Sequence, residues 1–198
     1  VLPKELLDAE RKIRKFRKYT IGYLHIDALY TPQIDRKRWY VFTCIDRVSK
    51  LAFVWLTDHK TITNGVRFLT MVLAWYPYPI HYILTDNGYE FTYKALAKHL
   101  RTKKVHLFDQ LCHRKKIEHR TIKFKHPWTN GMVERFNGKI KAKVFKRYLF
   151  PTITDLNLKL MGYVNQYNFV VKLKQLGYQT PAEYLKLTFN YSVQRIVI

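Results

Sequence analysis

Acidic residues are scarce in this chain of 198 residues: 14 Asp and Glu stand against 36 Lys and Arg, a formal net charge of +22. Such an excess excludes a cationic substrate and points to a polyanionic partner. Cysteine is nearly missing, with only Cys44 and Cys112. Two cysteines cannot build a disulfide framework at this length, so a reducing compartment is expected. Runs of eighteen apolar residues are absent, which excludes a transmembrane helix. No single basic amphipathic segment gathers the charge, which speaks against a membrane surface. What is present is 47% hydrophobic and 16% aromatic, enough for one domain with a sizeable core and too much for wholesale disorder. Nucleic acid is the expected partner, because regularly spaced phosphates reward many cations through counterion release and aromatics can stack on bases.

Residues 1–18 set Leu6, Ile13 and Phe16 among charges and read as a basic linker helix; the opening Val suggests a piece of something longer. Residues 19–150 read as the core and 151–198 as its helical C-terminal extension. IGYLHIDALY, WYVFTCIDR and KLAFVWLTD are rich in β-branched and aromatic residues between turn formers, the pattern of three antiparallel strands. Ile62, Val66, Leu69, Leu73 and Tyr76 recur at helical spacing behind Thr61 or Thr63 as N-cap, until PYP at 77–79 stops the helix. IHYILTD is a further strand. Residues 92–103 suit a helix, and a short strand is expected around KIEHRTIKF. Val133, Phe136, Ile140 and Val144 predict a helix, 154–167 another, and TPAE at 180–183 carries a capping box with Pro at the first helical position. The order describes an α/β domain, a mixed sheet flanked by helices.

Three carboxylates fit such a core poorly. Asp27 lies mid-strand in LHIDALY, where an unpaired buried charge is costly. Asp86 ends a strand just before Asn87 and Gly88. Glu134 and Glu118 are the only acids among twelve Lys and Arg from Arg114 to Arg147, and Glu134 falls about 90° from the apolar face of its helix. Each has an ordinary reading: Asp27 a solvated or salt-bridged residue, Asp86 a turn former, Glu134 a surface ion pair with Arg135 or Lys141. Together they suit hard divalent cations, which demand oxygen ligands and can activate a hydroxyl in phosphoryl displacement. Glu90 and Glu118 compete for the third place. Glu90 follows Asp86 closely, and Glu118 would need its segment to fold back. His106, Cys112, His113 and His119 raise zinc, without the paired spacing a zinc site needs.

LHIDALY, CIDRVSKLAFVWL, LTDNGYEFT, HPWTNGMVERFNGKIK and LGYQTPAEYL resemble successive blocks of the retroviral-integrase-like transposases of bacterial insertion sequences, over about residues 20–188. The resemblance implies a ribonuclease-H-like fold with a five-stranded mixed sheet. It also implies a DDE triad at Asp27, Asp86 and Glu134, Mg²⁺ or Mn²⁺, DNA 3′-end processing and strand transfer. Element ends and target DNA are the implied partners, in a homo-oligomer working in the bacterial cytoplasm at the nucleoid. Lys125, Trp128, Asn130, Arg135, Asn137, Lys139, Lys141 and Lys143 are expected at DNA. The 47 residues between Asp86 and Glu134 exceed the family's usual gap and imply an insertion within 93–112. Gly138 replaces a basic residue common in integrases, and FVVKLKQ replaces the usual Arg-Pro-His segment. A nuclease that only hydrolyses, and a decayed core that only binds DNA, are the alternatives.

Overall fold

The computed structural model describes residues 20–97, 99, 104–122 and 130–197. The N-terminal linker helix expected over 1–18, together with Lys125 and Trp128, lies outside them. Five strands form one sheet: β1 (Tyr23–Ile34), β2 (Lys37–Asp46), β3 (Ala52–Thr57), β4 (Tyr82–Thr85) and β5 (Glu118–Thr121), in the spatial order β3-β2-β1-β4-β5. The first three pair antiparallel and β4 and β5 add in parallel, so the sheet is mixed. The β1–β2 hairpin turns through Asp35 and Arg36, both at positive φ, the conformation a two-residue turn needs to match strand twist. At the next turn Asp46 is fully buried. Its carboxylate accepts from the amides of Gly22, Val48 and Ser49 and from the Ser49 hydroxyl, which offsets part of its desolvation, although burial still raises its pKa.

The helices are α1 (Ile62–Trp75), α2 (Leu107–Arg114), α3 (Gly131–Ile140, continued by a π-helical turn Lys141–Phe145), α4 (Ile153–Phe169) and α5 (Pro181–Phe189). Capping boxes at Thr152 and Thr180 start α4 and α5, the second as the TPAE stretch predicts. Residues 92–97, however, take turns rather than the expected helix, and α2 forms later, its first turn capped by the His106 imidazole. Lys94 there donates to Thr121 at 3.1 Å, so tertiary bonding overrides local helix propensity.

Alternation along β2 separates the layers. Phe42 packs on Phe68 of α1 and on Phe91, and Phe91 packs on Phe108 of α2. Its neighbour Thr43, on the opposite face, bonds to Asn137 of α3. On edge strand β3, Asn168 of α4 accepts from the Ala52 amide and donates to its carbonyl. Leu160, Val164, Leu185 and Ile196 thereby share one core with Leu24 and Ile26.

Gly65 lies inside α1, where a Cβ would meet the Glu90 carbonyl oxygen at 2.4 Å. Gly65→Ala gains about 1 kcal/mol of helix propensity but overpacks a backbone contact costing about 1–3 kcal/mol. Thermal melting should therefore show a Tm lower by a few degrees; a Tm above wild type would contradict the close approach.

Candidate active site

Asp27, Asp86 and Glu134 come from three separate elements. Asp27 projects from the centre of β1, Asp86 follows the end of β4, and Glu134 lies in the first turn of α3. Both oxygens of Asp27 are held: Oδ1 accepts from the Ala28 amide and Oδ2 from Asn137 Nδ2, each at 2.8 Å. Asn137 is itself buried, with its Oδ1 accepting from the Thr43 hydroxyl at 2.8 Å. Asp86 does form the Asx turn that Asn-Gly suggests, the Gly88 amide donating to Oδ1 at 2.9 Å. Glu134 is exposed on the shoulder of α3, while Val133, Phe136 and Ile140 are buried.

The electrostatics tie the three together. Burial and then the charge of Asp86 push the Asp27 pKa up to about 6, with Glu134 and Glu90 adding smaller repulsions against the Ala28 hydrogen bond. Like charges close enough to perturb one another, all on oxygen, are the donor chemistry a hard cation neutralises. Side-chain placement stops short of a closed site: among the described residues no three His, Cys, Asp or Glu stand at metal-holding spacing.

The competing acids separate clearly. Glu118, on edge strand β5, is exposed and pairs with Arg120 at 2.6 Å. Glu90 is buried; burial raises its pKa and Lys60, 3.3 Å away, opposes that rise. Of the histidines raised for zinc, His106 and His119 make hydrogen bonds and His113 is exposed. His106 caps α2 and contacts the Tyr89 carbonyl, while His119 lies between Asp109 and Thr85.

Of the side chains expected at DNA, Lys141 and Lys143 are exposed. Arg135 and Lys139 line a cleft on another flank of α3, Lys139 over the Tyr167 ring at 5.4 Å. Asn137 and Asn130 are buried, at 5% and 1% exposure, with Asn130 Oδ1 against His25 Nδ1 at 3.2 Å; their amides work inside the fold. Thr43 escaped the sequence reading. A hydroxyl midway along WYVFTCID was its one signal.

A five-stranded mixed sheet flanked by helices, with acids on its central strand, beside its neighbour and on a facing helix, is the ribonuclease-H-like architecture of integrase catalytic cores. Integrase core domain family models match residues 20–127 and 115–181, and the chain belongs to the integrase core domain family. It is 30% identical over 197 residues to the ORF3 integrase candidate of Spiroplasma virus SpV1-C74, covering 90% of this chain and 53% of that protein. An uncharacterized Caenorhabditis elegans protein is 30% identical over 146 residues, 73% of this chain and 10% of its own length. The chain thus spans about half of the viral relative and a tenth of the nematode one.

Solved structures agree on the fold. A chain of the simian T-cell lymphotropic virus intasome, in complex with PP2A regulatory subunit B56 gamma, matches with TM-score 0.62 at 18% identity, over 89% of this chain and 56% of that one. The HTLV-2 integrase catalytic core domain in complex with magnesium, in its dimeric form, matches with TM-score 0.58 at 20% identity, over 85% of this chain and 99% of that one.

Because the folded-state pKa of Asp27 is raised, its ionised form is disfavoured by folding. The contribution is neutral below pH 4 and becomes destabilising as pH rises through about 6. Asp27→Asn removes that charge, and the Asn137 amide can turn over against the Thr43 hydroxyl to keep its bonds. In chelator, chemical denaturation should find the variant more stable than wild type at pH 7, by up to about 3 kcal/mol, with the difference fading at pH 4. A variant less stable at pH 7 would contradict the charge cluster.

Proposed function

We propose that the chain is the catalytic core of a DDE transposase or integrase of the bacterial insertion-sequence type, a polynucleotidyl transferase dependent on Mg²⁺ or Mn²⁺. The observation that carries the reading is that Asp27 of β1, Asp86 beyond the paired strand β4 and Glu134 of α3, the helix whose Asn137 bonds Asp27, set three carboxylates near enough for Asp86 and Glu134 to raise the Asp27 pKa. Asp27, Asp86 and Glu134 would hold the divalent ions, which when bound activate the attacking hydroxyl and stabilise the leaving oxygen. Asn137 orients Asp27 by donating to Oδ2, and the Ala28 amide fixes Oδ1. Both contacts leave further lone pairs on the carboxylate. Asn137 and Asn130 act as positioning residues; Lys141, beside Glu134 one heptad on, approaches phosphate.

The reaction is in-line attack on a phosphodiester, first by water to expose a 3′-hydroxyl at an element end, then by that hydroxyl on target DNA. No covalent enzyme intermediate forms. The magnesium held by the HTLV-2 core and its dimeric and trimeric forms support a metal-dependent enzyme acting as a homo-oligomer. No helix among the described residues is long and apolar enough to cross a membrane, compatible with work on DNA at the nucleoid.

Asp27→Asn, Asp86→Asn and Glu134→Gln should each reduce Mg²⁺-dependent 3′-end processing by at least about 100-fold while circular dichroism stays native. An active Glu134→Gln enzyme would refute the assignment. A product gel separates the classes: strand transfer gives longer, branched species, whereas a nuclease gives only shortened ones.

A further inference from the structure

A second cationic surface lies on the other side of α3. Taking about 100° per residue, Arg135 and Lys139 fall about 100° and 140° round the helix from Glu134. They line a cleft of about 460 Å³. Arg47 and Lys50 enter from the β2–β3 turn, and Lys174 from the 3₁₀ turn at Lys174–Leu176. Among the described residues no carboxylate lines it. Burial pulls the Lys50 pKa down, and although Asp46 opposes this, Arg47 and Arg135 add repulsion. The cleft is thus a concentration of positive charge that an anion would relieve.

His25 also lines the cleft at 1% exposure, and its Nε2 is buried without a hydrogen-bond partner among the described residues. Nδ1 faces Asn130.

The cleft does not end there. A neighbouring groove of about 820 Å³ shares Lys139 and Tyr167 with it and adds Lys143, Arg147 and Lys159, against one acid among the described residues, Asp155. Eight cations strung through two adjoining depressions, with Tyr148, Tyr163 and Tyr167 between them, suit a repeating anion better than a single ion.

We propose that this flank of α3 is a second nucleic-acid track, gripping the sugar–phosphate backbone of a DNA segment other than the strand at Asp27. The track rests on the polynucleotidyl-transferase reading for its biological use but not for its binding. Phosphate contacts of this kind position a duplex without reading sequence. Two separate tracks would let one core hold the attacking end and a second segment together.

The test uses a fluorescein-labelled DNA duplex of arbitrary sequence, bound without divalent metal across a sodium chloride series and read by anisotropy. Lys174→Ala and Lys159→Ala, one from each depression, should each lower the slope of log affinity against log salt by about 0.7–0.9. Circular dichroism should stay native. Mg²⁺-dependent processing of a labelled end substrate should stay within about twofold, since neither lysine reaches the carboxylates. Unchanged slopes, or processing lost in step with binding, would overturn the second track. So would displacement of the duplex by inorganic phosphate as tightly as by unlabelled DNA, which would mean a single-ion site. Lowered slopes in a protein that processes no DNA would leave the track standing and remove the proposed function.

Discussion

Asn137 donates to Asp27 across 110 residues of chain and accepts from Thr43 across 94, and this small relay sets the rotation of α3 over the sheet. With Asn137 turned inward, Val133, Phe136 and Ile140 fall into the core. Glu134 then stands on the flank near Asp27, and Arg135 and Lys139 stand on the other. Turning the helix by one residue, about 100°, would bury a charge and carry Glu134 away from the strand acids. A buried amide bonded on both sides resists such a slip, because each orphaned bond would cost about 1–3 kcal/mol. Apolar packing alone tolerates a broader range of angles.

The charge distribution follows from the same placement. In a chain of net charge +22 a carboxylate might be expected to ionise easily, yet Asp27 is pushed the other way. Burial and neighbouring acids outweigh cations that are screened by solvent or engaged elsewhere. Lys60 answers Glu90, Arg120 answers Glu118, and Arg135 and Lys139 face the far cleft. An acidic centre inside a basic shell suits cations at its middle and polyanions at its rim, and neither region neutralises the other.

Asp46 offers an instructive contrast to Asp27. Both are acids in apolar strand surroundings, and the sequence LHIDALY stood out where CIDR did not. Asp46 is saturated by four hydrogen bonds from its own turn and from Gly22, so it serves the hairpin. Among the described residues the Asp27 carboxylate has two hydrogen bonds, and it shares its field with acids from other elements. Spacing could not separate these roles, because the partners of Asp27 come from distant parts of the chain.

Much of the fold was legible where local physics governs. Runs of β-branched and aromatic residues between turn formers marked β1 to β3, a compact apolar stretch marked β4, apolar recurrence marked α1, α3 and α4, and Thr180, Pro181 and Glu183 marked the start of α5. Local rules misled over 92–97, where Lys94 bonds to β5, and missed α2, whose cap is an imidazole rather than a hydroxyl. The sequence by itself determined which residues could face a core, a net charge that suits a polyanion, and which acids fit an apolar core poorly. Tertiary structure alone decided which acids feel one another, that Asn137 serves Asp27, and that the cations of α3 divide between two flanks. The physical reason is range: periodicity acts over a few residues, whereas these partnerships exist only once the sheet order has brought remote strands and a helix side by side.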